Sequence, residues 1–532
     1  MVRAATNGNG KTNGNGKAND RKFNTQQSLD SYIKSICDIM RRSNCAGALQ
    51  YVPEITWMLF LRILDEQQQQ EADEAEAVGA PFTYSLAAPY RWHDWAAPYD
   101  DDLFLTRDGL AQGWKRKELQ EGAMDGFYHF VNGELLPYLK SLHIAPNATP
   151  RQKVISQILA SIDRTRIDTE KNLLDILDLI HKISQQSVDN THIYTLSQVY
   201  EGLLLKMGEK GNDGGQFFTP RVVVRAMVEA IAPKIGETVY DAGCGTGGFL
   251  AQAYEYMAGA NNANITTADH LDTLKHKTFY GREKDNAIYP IALANLVLHG
   301  IDHPHIWHGN TLSGGTAYEG LYSGAPPLFD VALMNPPFGG KEGKEAQVNF
   351  SYKTSATQVL FVQHVLNSLK PQGRCGIVLD EGILFRTNET AFVQTKRKLL
   401  DDADVWCILS LPGGVFTSAG AGVKTNLVFF TKGNLTDRIW YYDLSDLKVN
   451  KKNPLTLAHF ADFLQLLPTR ADSDRSWTVS REAIEAKNYD LKAVNPNAKS
   501  TEDTRTPDEL LDIIEAEGKT VAEALRLLRK PE

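Results

Sequence analysis

Cysteine is scarce. Cys37, Cys45, Cys244, Cys375 and Cys407 are the only 5 in 532 residues. They form no C-x-x-C pair and no zinc-type spacing with histidine, which excludes a disulfide framework and speaks against a structural metal centre. They read as reduced, buried thiols, the usual state in a cytoplasmic protein. Long apolar runs are also missing: no stretch reaches the roughly 18 residues of a membrane span. Positive charge is in deficit, with Lys+Arg 56 against Asp+Glu 65 and a net charge of −9. A surface that grips nucleic acid everywhere is thereby disfavoured; a local basic cleft, or a partner that supplies the charge, is not. The first residues, MVRAATNGNGKTNGNGKAND, hold no apolar core and do not read as a secretory leader.

What is present divides the chain into four parts. Residues 1–24 read as a disordered Gly/Asn-rich tail. Ala5 to Thr12 there imitates a phosphate-binding loop, but no strand precedes it. Residues 25–190 read as a helical N-terminal domain: Ile36, Ile39, Met40, Trp57, Phe60, Leu61 and Leu64 recur at helical spacing, and Phe127–Leu142 and Lys171–Ile183 continue it. The aromatic patch Tyr90, Trp92, Trp95 and Tyr99 suits core packing, with an interaction surface as the alternative.

Residues 191–480 change to short apolar runs alternating with helices. The expected strands are Thr238–Asp241, Thr278–Gly281, His305–His308, Phe329–Met334, Cys375–Leu379, Val405–Leu411 and Asn426–Phe430. Helices Gly248–Met257 and Ile288–His299 separate the early ones. This alternation predicts a doubly wound, mostly parallel, seven-stranded α/β sheet with its ligand crevice at the carboxyl ends of the strands. Residues 481–532 read as a helical docking tail. Thr506-Pro507-Asp508-Glu509 is a capping box there, followed by an apolar stripe from Leu510 to Leu528.

Two motifs carry chemistry. The first is Val239-Tyr240-Asp241-Ala242-Gly243-Cys244-Gly245-Thr246-Gly247-Gly248, a strand, a glycine turn and a helix start. A dinucleotide site would want an acid about 20 residues further on, at a strand end; that region holds Asn261, Asn262 and Asn264 instead. S-adenosylmethionine fits better. Asp241 inside the loop suits its ammonium group and would repel a pyrophosphate. Glu283, at the next strand end, can accept ribose hydroxyls. Asn310, at the one after, can bond the cofactor adenine. Cys244 reads as a small loop residue, not a nucleophile.

The second motif is the strand Phe329–Met334 running into Asn335-Pro336-Pro337-Phe338. An exocyclic amine on a base attacks poorly because its lone pair is delocalised into the ring. Two acceptors aimed at its hydrogens, the Asn335 side-chain oxygen and the Pro336 carbonyl, would favour the attacking form. Pro336 and Pro337 stiffen the turn and remove competing N–H donors. Phe338 can stack on an extruded base, a contact of about 1–3 kcal/mol, against an extrusion cost of a few kcal/mol.

With Gln216-Phe217-Phe218-Thr219-Pro220-Arg221 upstream, the layout resembles amino-group DNA methyltransferases in which the methionine-contacting segment precedes the glycine loop. More closely it resembles the methylation (modification) subunit of type I restriction–modification systems. Val199-Tyr200-Glu201, Gly373-Arg374, Leu411-Pro412, Gly414-Val415-Phe416 and Asn488-Tyr489-Asp490-Leu491 extend the match over roughly 25–491. The resemblance implies adenine N6 as the methylated atom, with Gln216, Phe218, Thr219 and Pro220 at the methionine end of the cofactor. It implies as partners DNA, a specificity subunit, a second copy of the chain, and a restriction/translocase subunit in the full complex. Asn310 stands where an Asp is common in related enzymes, Asp380-Glu381 where a Pro-containing turn is common, and 256–277 is a long insertion. Methylation of RNA bases or of protein glutamine, and a silent DNA-binding scaffold, are the alternative readings. The expected chemistry is direct in-line transfer with no metal.

Overall fold

Apolar residues at every third or fourth position build the N-terminal part. The computed structural model describes residues 26–43, 45, 48–104, 109–183, 219–313, 325–416, 424–450, 453–497 and 506–528; the 1–24 tail lies outside them. Helices Gln26–Arg42 and Ala48–Ala77 are followed by a helical run from Gly126 to Ile144, with one π-helical turn at Val131–Leu135, and by Pro150–Leu159 and Glu170–His181. A capping box at Thr149 opens the helix Pro150–Leu159. A small antiparallel ribbon interrupts the helices, β1 (Asp100–Phe104) with β2 (Ala111–Gln112). The aromatic patch is core. Trp92 and Trp95 are fully buried, and Tyr90 stacks on Tyr138 with ring centroids 3.9 Å apart. Tyr99 is exposed, against the Lys117 ammonium 4.1 Å from its ring centre.

The second part is a sheet of nine strands. They are β3 (Val239–Asp241), β4 (Phe279–Glu283), β5 (His305–His308), β6 (Phe329–Met334), β7 (Leu369–Asp380), β8 (Ala403–Ser410), β9 (Thr425–Lys432), β10 (Arg438–Asp443) and β11 (Ser476–Ser480). Their order across the sheet is β11-β10-β8-β9-β7-β6-β3-β4-β5. The seven expected strands are the first seven of these. The count is corrected upward because β10 and β11 extend the β8 edge. Ile439, Trp440, Tyr441 and Tyr442 of β10 are all buried, so no polar alternation marked it as a strand. Pairing is parallel except where β9 inserts between β7 and β8, and where β11 pairs with β10.

The chain passes from β3 outward to β4 and β5, then returns to β6 on the other side of β3. That reversal opens a crevice at the carboxyl ends of β3 and β6. One apolar core fills one face of the sheet and runs on into the helical part; a second fills the opposite face. The insertion 256–277 folds into a short turn and the helix Ala268–His276. All five cysteines are free and buried.

Helix Ile288–Leu298 joins the two parts. Ile291 to Val297 are all buried, because the helix faces the sheet on one side and helices Ala48–Ala77 and Pro150–Leu159 on the other. One guanidinium reinforces this seam. Arg151 bonds Glu71 through both terminal nitrogens, at 2.8 and 2.9 Å, and Asp302 of the sheet part through Nε at 2.8 Å. Lys275 also reaches Asp302, at 3.3 Å. The far C-terminus behaves differently. Thr506 and Glu509 make the expected reciprocal cap, but Leu511 and Ile514 on helix Pro507–Leu528 remain exposed.

Removing one partner from such a largely buried cluster costs about 3 kcal/mol. Arg151→Leu is therefore expected to destabilise the helical part by about that amount in urea unfolding followed by tryptophan fluorescence. Arg151→Lys should restore less than half, since an ammonium cannot fork; unchanged stability in both would contradict the seam.

Candidate active site

The crevice is a cavity of about 580 Å³ bounded by the ends of β3, β4, β5 and β6. From β3 comes the glycine turn. Gly247 has φ +80°, and a Cβ there would sit 3.1 Å from the Leu296 side chain. Glycine alone lets the turn lie this close to helix Ile288–Leu298 and start helix Gly248–Ala258. Asn295 locks the arrangement, donating from Nδ2 to the Thr246 carbonyl at 2.9 Å.

Asp241 and Glu283 are both buried beside this turn. The Gly243 N–H donates to Asp241 Oδ1 at 3.1 Å. Gly245 N–H donates to Glu283 Oε2 at 2.9 Å, and Asp285 N–H to Oε1 at 2.7 Å. Burial pushes the Asp241 carboxyl up to about 8, and the charge of Glu283 adds to the shift. Burial likewise pushes Glu283 up to about 7 despite its backbone donors. Two carboxyls raised in this way make a receptor for a cation, because an arriving positive charge relieves both. Burial also pushes the Cys244 thiol well up, so it is not a ready nucleophile.

At the β6 end stands Asn335. Its Nδ2 donates to Thr219 Oγ1 at 3.0 Å, while its Oδ1 is buried without a hydrogen-bond partner among the described residues. The Pro336 carbonyl accepts from Gln358 Nε2 at 3.4 Å, which leaves one lone pair on that carbonyl. Gln358 in turn accepts the Asp380 N–H at 3.2 Å, so the Asn-Pro-Pro turn is braced against the end of β7.

The cavity brings together Thr219, Asp241, Gly243, Gly245, Thr246, Gly248, Glu283, Asn310, Asn335 and Pro337 among the expected residues. Gly247 backs onto Leu296, away from the lining. Pro220 caps helix Arg221–Ile231 instead of facing the cavity. Phe338 packs edge-on against Phe416, ring centres 5.4 Å apart. Gln216 and Phe218 lie outside the described residues. Arg221 of the same upstream motif bonds Glu255 at 3.0 Å. Sequence reasoning missed Glu342, Thr357 and Gln358. They have no motif of their own and matter only because helix Thr357–Ser368 brings its start against the Asn-Pro-Pro loop.

The comparisons agree with this geometry. The N-6 DNA Methylase family matches residues 191–505, and the HsdM N-terminal domain matches residues 29–180. The type I restriction enzyme EcoEI methylase subunit of Escherichia coli is 32% identical over 94% of this chain and 97% of its own length. A modification subunit of a type I restriction enzyme from Vibrio vulnificus YJ016 superposes with TM-score 0.73 at 31% identity, over 89% of this chain and 98% of that one. A chain from a solved type I R-M system superposes with TM-score 0.67 at 34% identity, over 95% and 98%.

Gln358 braces the Pro336 carbonyl without entering the cavity lining, so Gln358→Leu is expected to lower kcat about tenfold, in line with a displaced reacting group. Cofactor affinity should stay within about threefold of wild type, since no cofactor contact is removed; a loss confined to cofactor binding would contradict the role. With motifs, topology and relatives in agreement, the chain belongs to the N-6 DNA methylase family, as a type I restriction enzyme methylase subunit.

Proposed function

We propose that this chain is the catalytic subunit of a cytoplasmic type I restriction–modification complex and transfers a methyl group from S-adenosylmethionine to N6 of an extruded adenine in DNA. The observation that carries the proposal is Asn335 Oδ1, a buried acceptor without a partner among the described residues, in the same cavity as two buried carboxyls. Burying such an acceptor unpaired costs about 1–3 kcal/mol, a cost offset when a substrate amine donates to it.

The residues fit the cofactor. Asp241 would hold its ammonium group and Glu283 its ribose hydroxyls, on lone pairs left by the backbone donors. Gly243, Gly245, Thr246 and Gly248 would give its methionine end room, with Thr219 beside them; Gln216 and Phe218 are assigned to that end by the family resemblance alone. When bound, the cofactor supplies an electrophilic methyl: the N6 lone pair forms the new C–N bond, the C–S electrons return to sulfur, and the surplus N6 proton leaves to water.

The chain's own work is positioning and electrostatics. Asn335 Oδ1 and the Pro336 carbonyl accept the two N6 hydrogens and draw the nitrogen lone pair out of the ring. Pro337 keeps the turn rigid. Phe338, held by Phe416, would stack on the base. The acidic balance of the chain suits a subunit that binds DNA tightly only with a specificity subunit, a second copy of itself and, in the full complex, a restriction/translocase subunit. Helix Pro507–Leu528, with its exposed apolar stripe, is the proposed docking tail.

The test uses the chain with its specificity partner, labelled cofactor, and duplex DNA or RNA. Asn335→Ala is expected to keep cofactor binding and lose about 10²–10³-fold in DNA methylation, whereas Asp241→Ala loses cofactor binding first. The opposite order, or methylation of RNA in place of DNA, would contradict the proposal.

A further inference from the structure

The strand order sets up a linear site. Asn335 leaves β6, Asp241 ends β3, Glu283 ends β4, and Asn310 follows β5. Three strand spacings separate β6 from β5, about 14 Å. If methyl transfer occurs at Asn335 and the ribose sits at Glu283, the far end of the cofactor, its adenine, falls at β5. An adenine there needs an acceptor for its exocyclic amine.

Asn310 is the weaker candidate for that acceptor, an uncharged amide already engaged at both ends. Its Oδ1 accepts the Leu312 N–H at 2.9 Å, and its Nδ2 donates to Glu342 Oε2 at 3.3 Å. Its side chain therefore presents a donor, aimed at a carboxylate. Glu342 lines the same cavity, beside Asn310, Lys341 and Thr357. Its other oxygen, Oε1, accepts from Thr357 Oγ1 at 3.2 Å. Its backbone N–H bonds the Ser355 carbonyl at 2.8 Å, and the Gly340 carbonyl accepts the Thr357 N–H at 3.1 Å. A Cβ on Gly340 would sit 2.6 Å from Thr357 Oγ1, so glycine is required where the loop passes this close. The loop from Asn335 to Glu342 is thus strapped to the start of helix Thr357–Ser368, and the strap aims one carboxylate back toward β5. A carboxylate has about four acceptor positions; the side-chain bonds to Asn310 and Thr357 use two.

We infer that Glu342 is the acceptor for the exocyclic amine of the cofactor adenine, positioned by Asn310 and Thr357. The inference rests on the cofactor reading above. It moves the carboxylate from the end of β5 to the loop that carries Asn335. The residue that reads the cofactor's base then shares an eight-residue span with the residue that activates the substrate amine, counting from Asn335 to Glu342. Cofactor binding would steady the loop that receives the extruded base.

The test is binding, read by calorimetry on the full chain, with S-adenosylhomocysteine and S-inosylhomocysteine, whose base carries a 6-oxo group instead of the amine. Wild type is expected to bind the adenosyl ligand at least about tenfold more tightly, since a carboxylate that accepts from an amine repels a carbonyl. In Glu342→Ala the ratio should fall to about one, mainly through weaker binding of the adenosyl ligand. Glu342→Gln keeps the size of the side chain, guards against a folding defect, and should also narrow the ratio. A ratio unchanged from wild type in both variants, or a wild type that does not discriminate, would overturn the inference. Failure of wild type to bind the adenosyl ligand at all would instead overturn the cofactor reading.

Discussion

Two carboxyls, Asp241 and Glu283, are held out of water at the ends of adjacent parallel strands, and much of the site follows from keeping them there. Each is stabilised by main-chain N–H groups. This demands a backbone that turns tightly enough to aim those groups inward. The glycine turn supplies it, and the turn is possible because Leu296 and Asn295 of a fully buried helix form its floor. Empty, the pair is a strained anion site. Raised carboxyls favour the protonated form of the folded chain, so their contribution to stability is full at low pH and is lost as pH rises through about 7 and then about 8. A bound cation reverses that penalty.

The helical part contributes to the site indirectly. Helix Ile288–Leu298 is apolar on all sides, and only a partner on its outer face makes that stable in water. The N-terminal helices cover this face, and the Arg151 cluster adds directional bonds across the seam. The floor of the glycine turn and the seam between the two parts are therefore the same helix.

The motifs legible in the sequence were the local ones. Val239 to Gly248 folds as strand, turn and helix start, and Phe329 to Phe338 as strand and turn, within a residue or two of expectation, because glycine and proline dictate backbone geometry where they stand. Strand β10 was not legible, since burial on both faces erased the alternation that marks a strand. The occupancy of side chains was not legible either. Asn310 reads as an open amide until Leu312 and Glu342 are found on its two ends. Phe338 reads as a free stacking surface until Phe416 is found against its edge. These contacts span loops that come together only in the fold.

On the proposed function, the cavity is an acidic receptor whose carboxyls ionise when a cationic cosubstrate arrives. The direct measurement is the number of protons exchanged when S-adenosylmethionine binds at pH 7, from calorimetry in buffers of different ionisation enthalpy. With Asp241 near 8 and Glu283 near 7 in the free chain, binding should release about one proton, and Asp241→Asn should remove most of that release. Binding with no proton exchange, or with proton uptake, would contradict the account.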